Sequence, residues 1–262
     1  MNSKIKKILA VALAMIMIMA AVSCGDGEQA ENSGSEIPVY TVATEATFPP
    51  FDTVDEDGNI IGFDMDLITA IGEDQGFQVE FVDMSFEAII PSVQAGNSDI
   101  IAAGMWAEDP ERREKVDFSD FYYNGGKVLI VKADNDKITD MSTLTSEMKV
   151  ASQIGTNYAD EITALEADGA IGEAVILDGF DTCVLQLLNE DIDAILTGYS
   201  TAVTYENLHA GKIKIAGEIM DSEALGFAVQ KGNKELLEQI NTGLANVKEN
   251  GIYDELLEKW GL

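Results

Sequence analysis

The chain has 262 residues, 47 of them acidic and 16 basic, for a formal net charge of −31, with one histidine and two cysteines. A 46% hydrophobic and 24% charged composition with 5 prolines describes a globular protein with room for one large domain or two modest ones, and excludes a disordered tail. The acidity argues against a nucleic-acid partner, and the scarcity of His and Cys leaves too few ligands for zinc and little for a nucleophilic triad, so neither a metal nor a cofactor is expected.

The N-terminus opens with Lys4, Lys6 and Lys7 and continues through an apolar run, 8–22. That run is short for a membrane-spanning helix and suits a signal peptide, expected over residues 1–23. Ala21, Val22, Ser23 and Cys24 resemble a bacterial lipobox, which implies lipidation of Cys24 and a membrane anchor. Residues 24–36 then form a lipidated N-terminus and an acidic, Gly- and Ser-containing linker. Cys183 is left without a disulfide partner and, among Phe180, Val184 and Leu187, reads as a small buried apolar residue.

Beyond the linker, short β-branched runs alternate with amphipathic helices. Strands are expected at 39–42, 79–82 and 99–102, with helices at 64–75, where Met65, Ile68 and Ile71 share a face, and at 85–94, capped by Ser85. A second series places strands at 149–152, 174–177 and 193–196 around helices at 157–166 and 179–189. The runs KVLIV (127–131) and GFAV (226–229) read as strands connecting two lobes. A helix at 234–248, carrying Leu237, Ile240, Leu244 and Val247, breaks at Gly251 before a last helix at 253–260. The βαβ grammar predicts an α/β protein with two mainly parallel sheets flanked by helices. Lobe 1 would comprise 37–124 plus 226–262 and lobe 2 125–225, with a ligand cleft at the strand C-termini between the lobes.

Six ordered motifs then carry a resemblance: VATEATFPPFD (42–52), GNIIGFDMDL (58–67), PSVQAGNSDIIAAG (91–104), PERREKVDFSDFYY (110–123), VASQIGT (150–156) and GIYDELLEKWG (251–261). Together they resemble the family 3 extracellular solute-binding proteins of polar amino-acid ABC importers, the group of glutamine, histidine and lysine/arginine/ornithine binding proteins. The resemblance implies the type II periplasmic-binding-protein-like fold and a monomer that closes over a small amino-acid-like solute. It also implies an ABC permease and its ATPase on separate chains, and a place on the outer face of the bacterial cell membrane.

The resemblance also implies the site. Arg112 aligns with the arginine that grips a ligand carboxylate, a use suited to the planar guanidinium fork, whereas Arg113 is the more exposed of the pair. Glu45 stands at the cleft mouth to meet a polar or charged part of the solute, and Phe48 and Phe86 sandwich its apolar part. Gly155, Thr156 and Asn157 follow a strand at a helix start, where N–H groups can meet an anion, and Gln153 aligns with the pocket wall. Met105, Trp106, Ala107 and Glu108 replace a segment rich in Thr and Ser in relatives, and Trp106 can wall the pocket instead. Thr197, Gly198 and Tyr199 end the last strand of the second lobe. There Gly198 stands where relatives carry the Asp that holds the α-ammonium, with Tyr199 a candidate to fill the space. Glu45 or another acid must then supply the charge, or the solute is a zwitterion other than an α-amino acid. A secreted dehydratase of the prephenate or arogenate type is the enzymatic alternative on this fold, and it lacks the obvious acid at Gly198. His209 reads as surface.

Overall fold

The computed structural model describes residues 37–262; the expected signal peptide, Cys24 and linker lie outside the described residues. β1 (Val39–Thr44) pairs in parallel with β4 (Gln78–Asp83) and β5 (Ile100–Ile101). β12 (Ala228–Gln230) lies antiparallel between β5 and β6 (Val116–Phe118), which gives the order β4-β1-β5-β12-β6 with β12 alone reversed. The second sheet repeats the plan as β11-β7-β10-β8-β9, from β7 (Tyr123–Lys132), β8 (Lys149–Gln153), β9 (Glu173–Leu177), β10 (Ala194–Gly198) and β11 (Ile213–Leu225), with β7 alone reversed. A small hairpin, β2 (Thr53–Val54) and β3 (Ile60–Ile61), completes the strands. This is the expected two-lobed α/β arrangement.

Helices cover both faces of such sheets, so central strands are continuous apolar runs rather than alternating ones. Val42, Ala43, Ile100, Ile101 and Val128 to Val131 are all fully buried. The helix Phe63–Gln75 buries Phe63, Met65, Leu67, Ile68 and Ile71, and the helix Lys234–Glu249 returns from the second lobe to pack on it. Gly243 makes that approach possible: a β-carbon there would stand 2.8 Å from Ile71 Cγ2. The inward stripe of this last long helix uses Leu236 with Ile240, Leu244 and Val247, and Leu237 is only partly covered. A helical period of 3.6 sets Leu236, four residues before Ile240, on that face.

Two expectations change at the level of local structure. Ser85 occupies the N-cap of the helix Phe86–Gln94, but its side chain makes no capping bond, and only its carbonyl accepts, from Ala88 N–H at 2.8 Å. The lobe crossings are made by the ends of β7 and β11, which pair from Tyr123↔Leu225 through Gly125↔Glu223 to Lys132↔Ile213. The 226–229 run is divided instead: Gly226 and Phe227 link β11 to β12, and Ala228 and Val229 belong to the first sheet.

Candidate functional site

The C-terminal ends of β1, β4, β5, β8 and β9 lead into the segments that line the interlobe cleft. Among the described residues, hydrogen bonds made by Arg112 and Thr47 cross it. Arg112 Nη2 donates to Gly155 O at 3.1 Å, Phe180 N–H to Thr47 Oγ1 at 3.1 Å, and the Tyr205 hydroxyl to Thr47 O at 3.0 Å. The enclosed cavity is only about 20 Å³, lined by Phe48, Phe86, Trp106, Arg112, Gln153, Thr156 and Asn157 together with Ala103, Gly104, Tyr158 and Phe180. Small-molecule pockets start near about 300 Å³, so admitting a solute requires the lobes or the side chains between them to part.

Arg112 is held for work in this cavity. Asp109 starts the short helix Pro110–Lys115, its carboxylate accepting the N–H groups of Glu111 and Arg112 at 2.8 and 3.0 Å, and Pro110 fixes the first turn. The guanidinium is buried, 5.4 Å from the centre of the Phe86 ring, with Asp109 the nearest carboxylate at 3.6 Å. Burial lowers its pKa and Asp109 only partly offsets this, so a ligand carboxylate placed on the unspent N–H donors would meet a cation already stripped of water. Arg113, by contrast, is exposed, and its Nε donates to Ala107 O at 2.6 Å. Thr156 caps the helix Asn157–Ala167 through Ala159 N–H.

The space at Gly198 is filled by Phe48. A β-carbon on Gly198 would lie 2.9 Å from Phe48 Cζ, and one on Gly104 2.6 Å from Phe48 Cδ1, so the ring occupies a slot between two glycines of opposite lobes. It also stacks on Phe51 at 5.6 Å and tilts against Phe180 at 5.5 Å. Tyr199 therefore does not fill that space; it is 37% exposed and lines an adjoining cavity with Phe48, Tyr158, Gly198 and Glu223.

Glu45 is buried rather than open at a mouth. Thr47 Oγ1 donates to its Oε2 at 3.0 Å, and burial raises its pKa against the Gln153 amide and the Thr47 hydroxyl. Gln153 Nε2 meanwhile donates to Asp178 O at 3.1 Å. Met105, Ala107 and Thr197 do not line the cavity. Met105 joins the first lobe's core beside Ile89 and Val116, Ala107 N–H is tied to Ala224 O at 2.8 Å beside the crossing strands, and Thr197 is buried within β10. Gly155 touches the site through its carbonyl. Trp106 brings a buried indole N–H that has no protein partner. His209 closes the helix Tyr199–Leu208 and is half-buried rather than fully exposed. Cys183 is buried, its thiol pushed up to about 12 by burial.

Sequence reasoning did not find Thr47, Tyr158, Phe180 or Glu223. Glu223, on β11, accepts from Asn157 Nδ2 at 2.6 Å and the Tyr158 hydroxyl at 2.5 Å, and burial raises its pKa. The floor of the first lobe also carries an acid, Asp64, which accepts from Gly104 N–H at 2.8 Å and the Tyr122 hydroxyl at 2.7 Å. Burial lifts Asp64 from 3.8 to about 7. The folded state thus holds a proton that the unfolded chain releases, so this group's contribution is full below about 4 and is lost as pH rises through about 7, on the order of 4 kcal/mol. Denaturant melts of Asp64→Asn should show the variant gaining on the parent between those pH values. A pH-independent difference would contradict this.

Residues 40–262 match the family model described as bacterial extracellular solute-binding proteins, family 3. A probable histidine-binding protein of Campylobacter jejuni is 30% identical over 98% of this chain and 99% of its own length. Among solved structures, an ancestral arginine-binding protein bound to arginine superposes with a TM-score of 0.81 at 39% identity, covering 85% of this chain and 97% of that one. An ancestral amino acid-binding protein, described as a precursor of cyclohexadienyl dehydratase, gives 0.77 at 36% identity over 85% and 95%.

Proposed function

The chain belongs to that solute-binding family, and from this premise we propose that it captures one polar or cationic amino acid between its lobes and passes it to an ABC permease and ATPase on separate chains. The observation that carries the reading is Arg112: a buried guanidinium in the interlobe cavity, beside the Phe86 ring, whose ion pair to Asp109 at 3.6 Å runs through Nε and leaves the outer N–H donors for a ligand. The ligand's carboxylate sits on Arg112 near the Gly155–Thr156 turn, and Phe86, Trp106 and Phe180 flank its side chain. Cys24 anchors a monomer by lipid to the outer face of the membrane, with residues 1–23 removed, and the lobes divide at about 124 and 226. Binding rather than dehydration is supported by the Campylobacter jejuni relative, described as a probable histidine-binding protein.

The test is a thermal-shift screen of the protein, unfolded and refolded to strip carried-over solute, against the twenty amino acids, ornithine, betaines and prephenate. A ligand at 1,000 times its Kd adds about 4.1 kcal/mol, or about 8 to 16 °C at roughly 2 to 4 °C per kcal/mol. A shift of that size from an α-amino acid is expected, with prephenate left intact. A shift from betaines alone, or dehydration of prephenate, would overturn the reading.

A further inference from the structure

The amino-acid reading leaves one charge unaccounted for, because Gly198 offers no acid to an α-ammonium and an ammonium buried without one is strongly disfavoured. The structure offers a buried carboxylate in the same place from a different strand. A β-carbon on Gly198 would stand 3.2 Å from the Tyr158 hydroxyl, and that hydroxyl donates to Glu223 Oε2 at 2.5 Å. Glu223 lines the cavity that Gly198 and Tyr199 also line, and Asn157, which borders the Arg112 cavity, donates to its other oxygen.

No cation among the described residues pairs directly with this carboxylate. Lys127, on the neighbouring strand β7, forms ion pairs with Glu161 and Asp221 instead. Two neutral donors leave lone pairs free on both oxygens, and Gly125, the register partner of Glu223 on β7, puts no side chain beside it. Phe48 and Tyr158 line both cavities. The Phe48 and Tyr158 side chains therefore separate them, and displacement of the Phe48 ring would join Arg112 and Glu223 in one chamber with opposite charges on its walls.

We propose that Glu223, positioned by Asn157 and Tyr158, receives the ligand's α-ammonium in place of an acid at position 198. The assignment rests on the amino-acid capture reading. It moves the anionic half of zwitterion recognition from the end of β10 to the crossing strand β11, so that the ammonium is gripped by the element that links the lobes.

Titration calorimetry on the whole protein tests it, using L-arginine, L-glutamine and L-histidine, each beside its des-amino analogue: guanidinovalerate, glutaramate and imidazolepropionate. For the amino acid that binds, Glu223→Gln should weaken affinity at least about 30-fold while changing that of the des-amino analogue less than threefold, with the melting temperature of the unliganded variant kept. Equal losses for amino acid and analogue, or affinity for the amino acid within threefold of the parent, would overturn the assignment and leave capture standing. If the parent binds none of the three, capture of these amino acids fails, and the assignment falls with it. Tyr158→Phe, which removes one orienting donor, should reproduce the selective loss at smaller size; selective loss absent there and in Glu223→Gln alike rules out the whole triad.

Discussion

Arg112→Ala should weaken amino-acid binding by about 2 to 5 kcal/mol, roughly 30-fold to several thousand-fold, the penalty for removing one partner of a buried charge pair. The side chain has two tasks. In the proposed complex its free donors meet a ligand carboxylate, and its Nη2 bond to Gly155 O at 3.1 Å ties the first lobe to the second. Arg112→Lys separates them: a point charge remains, the planar fork is lost, and an intermediate affinity is expected. Calorimetric affinity for Arg112→Ala within threefold of the parent would show that the carboxylate is held elsewhere.

Gly155→Val should impair closure from the other side. Gly155 has φ +76°, where an L-residue costs roughly 1 to 2 kcal/mol, and its added β-carbon would stand 3.2 Å from both Cα and Cβ of Glu87 in the opposite lobe. Backbone cannot swing aside as a flexible side chain can, so the contact opposes docking of the lobes. Apparent affinity falls with the population of the closed form, on the order of 10- to 100-fold, and small-angle scattering at saturating ligand should show a more extended particle. Gly58→Val is the control, with φ +84° but nothing within 4 Å of the added atom. It should cost stability without costing affinity. Equal affinities for the two variants would contradict the closure argument.

Much of this architecture is written locally in the chain. The central strands read as apolar runs because both sheet faces are covered, and the Asp109-Pro110 start exposes the short helix that carries Arg112. β11 was illegible because Glu218, Asp221, Ser222 and Glu223 interrupt any alternation, and its pairing with β7 shifts register between Ala216 and Met220 and again before Glu223. Glu223 therefore carries no strand signal in the sequence. Gly198 was recognisable as a departure, but not its consequence, since the Phe48 ring that fills the slot comes from 150 positions earlier and from the other lobe. Met105 and Ala107 failed as lining for a similar reason: proximity in sequence to Trp106 places them on neighbouring sides of an irregular segment, one in a core and one against β11.

The claim that the cleft recognises an amino acid through its carboxylate can be measured in one comparison. Titration of the refolded protein with L-arginine, L-glutamine and L-histidine, and with the decarboxylated amine of each, should give one site per chain for at least one amino acid. Its amine should bind at least about 30-fold more weakly. An amine that binds as tightly as its amino acid, or no heat from any of the three, would contradict the account.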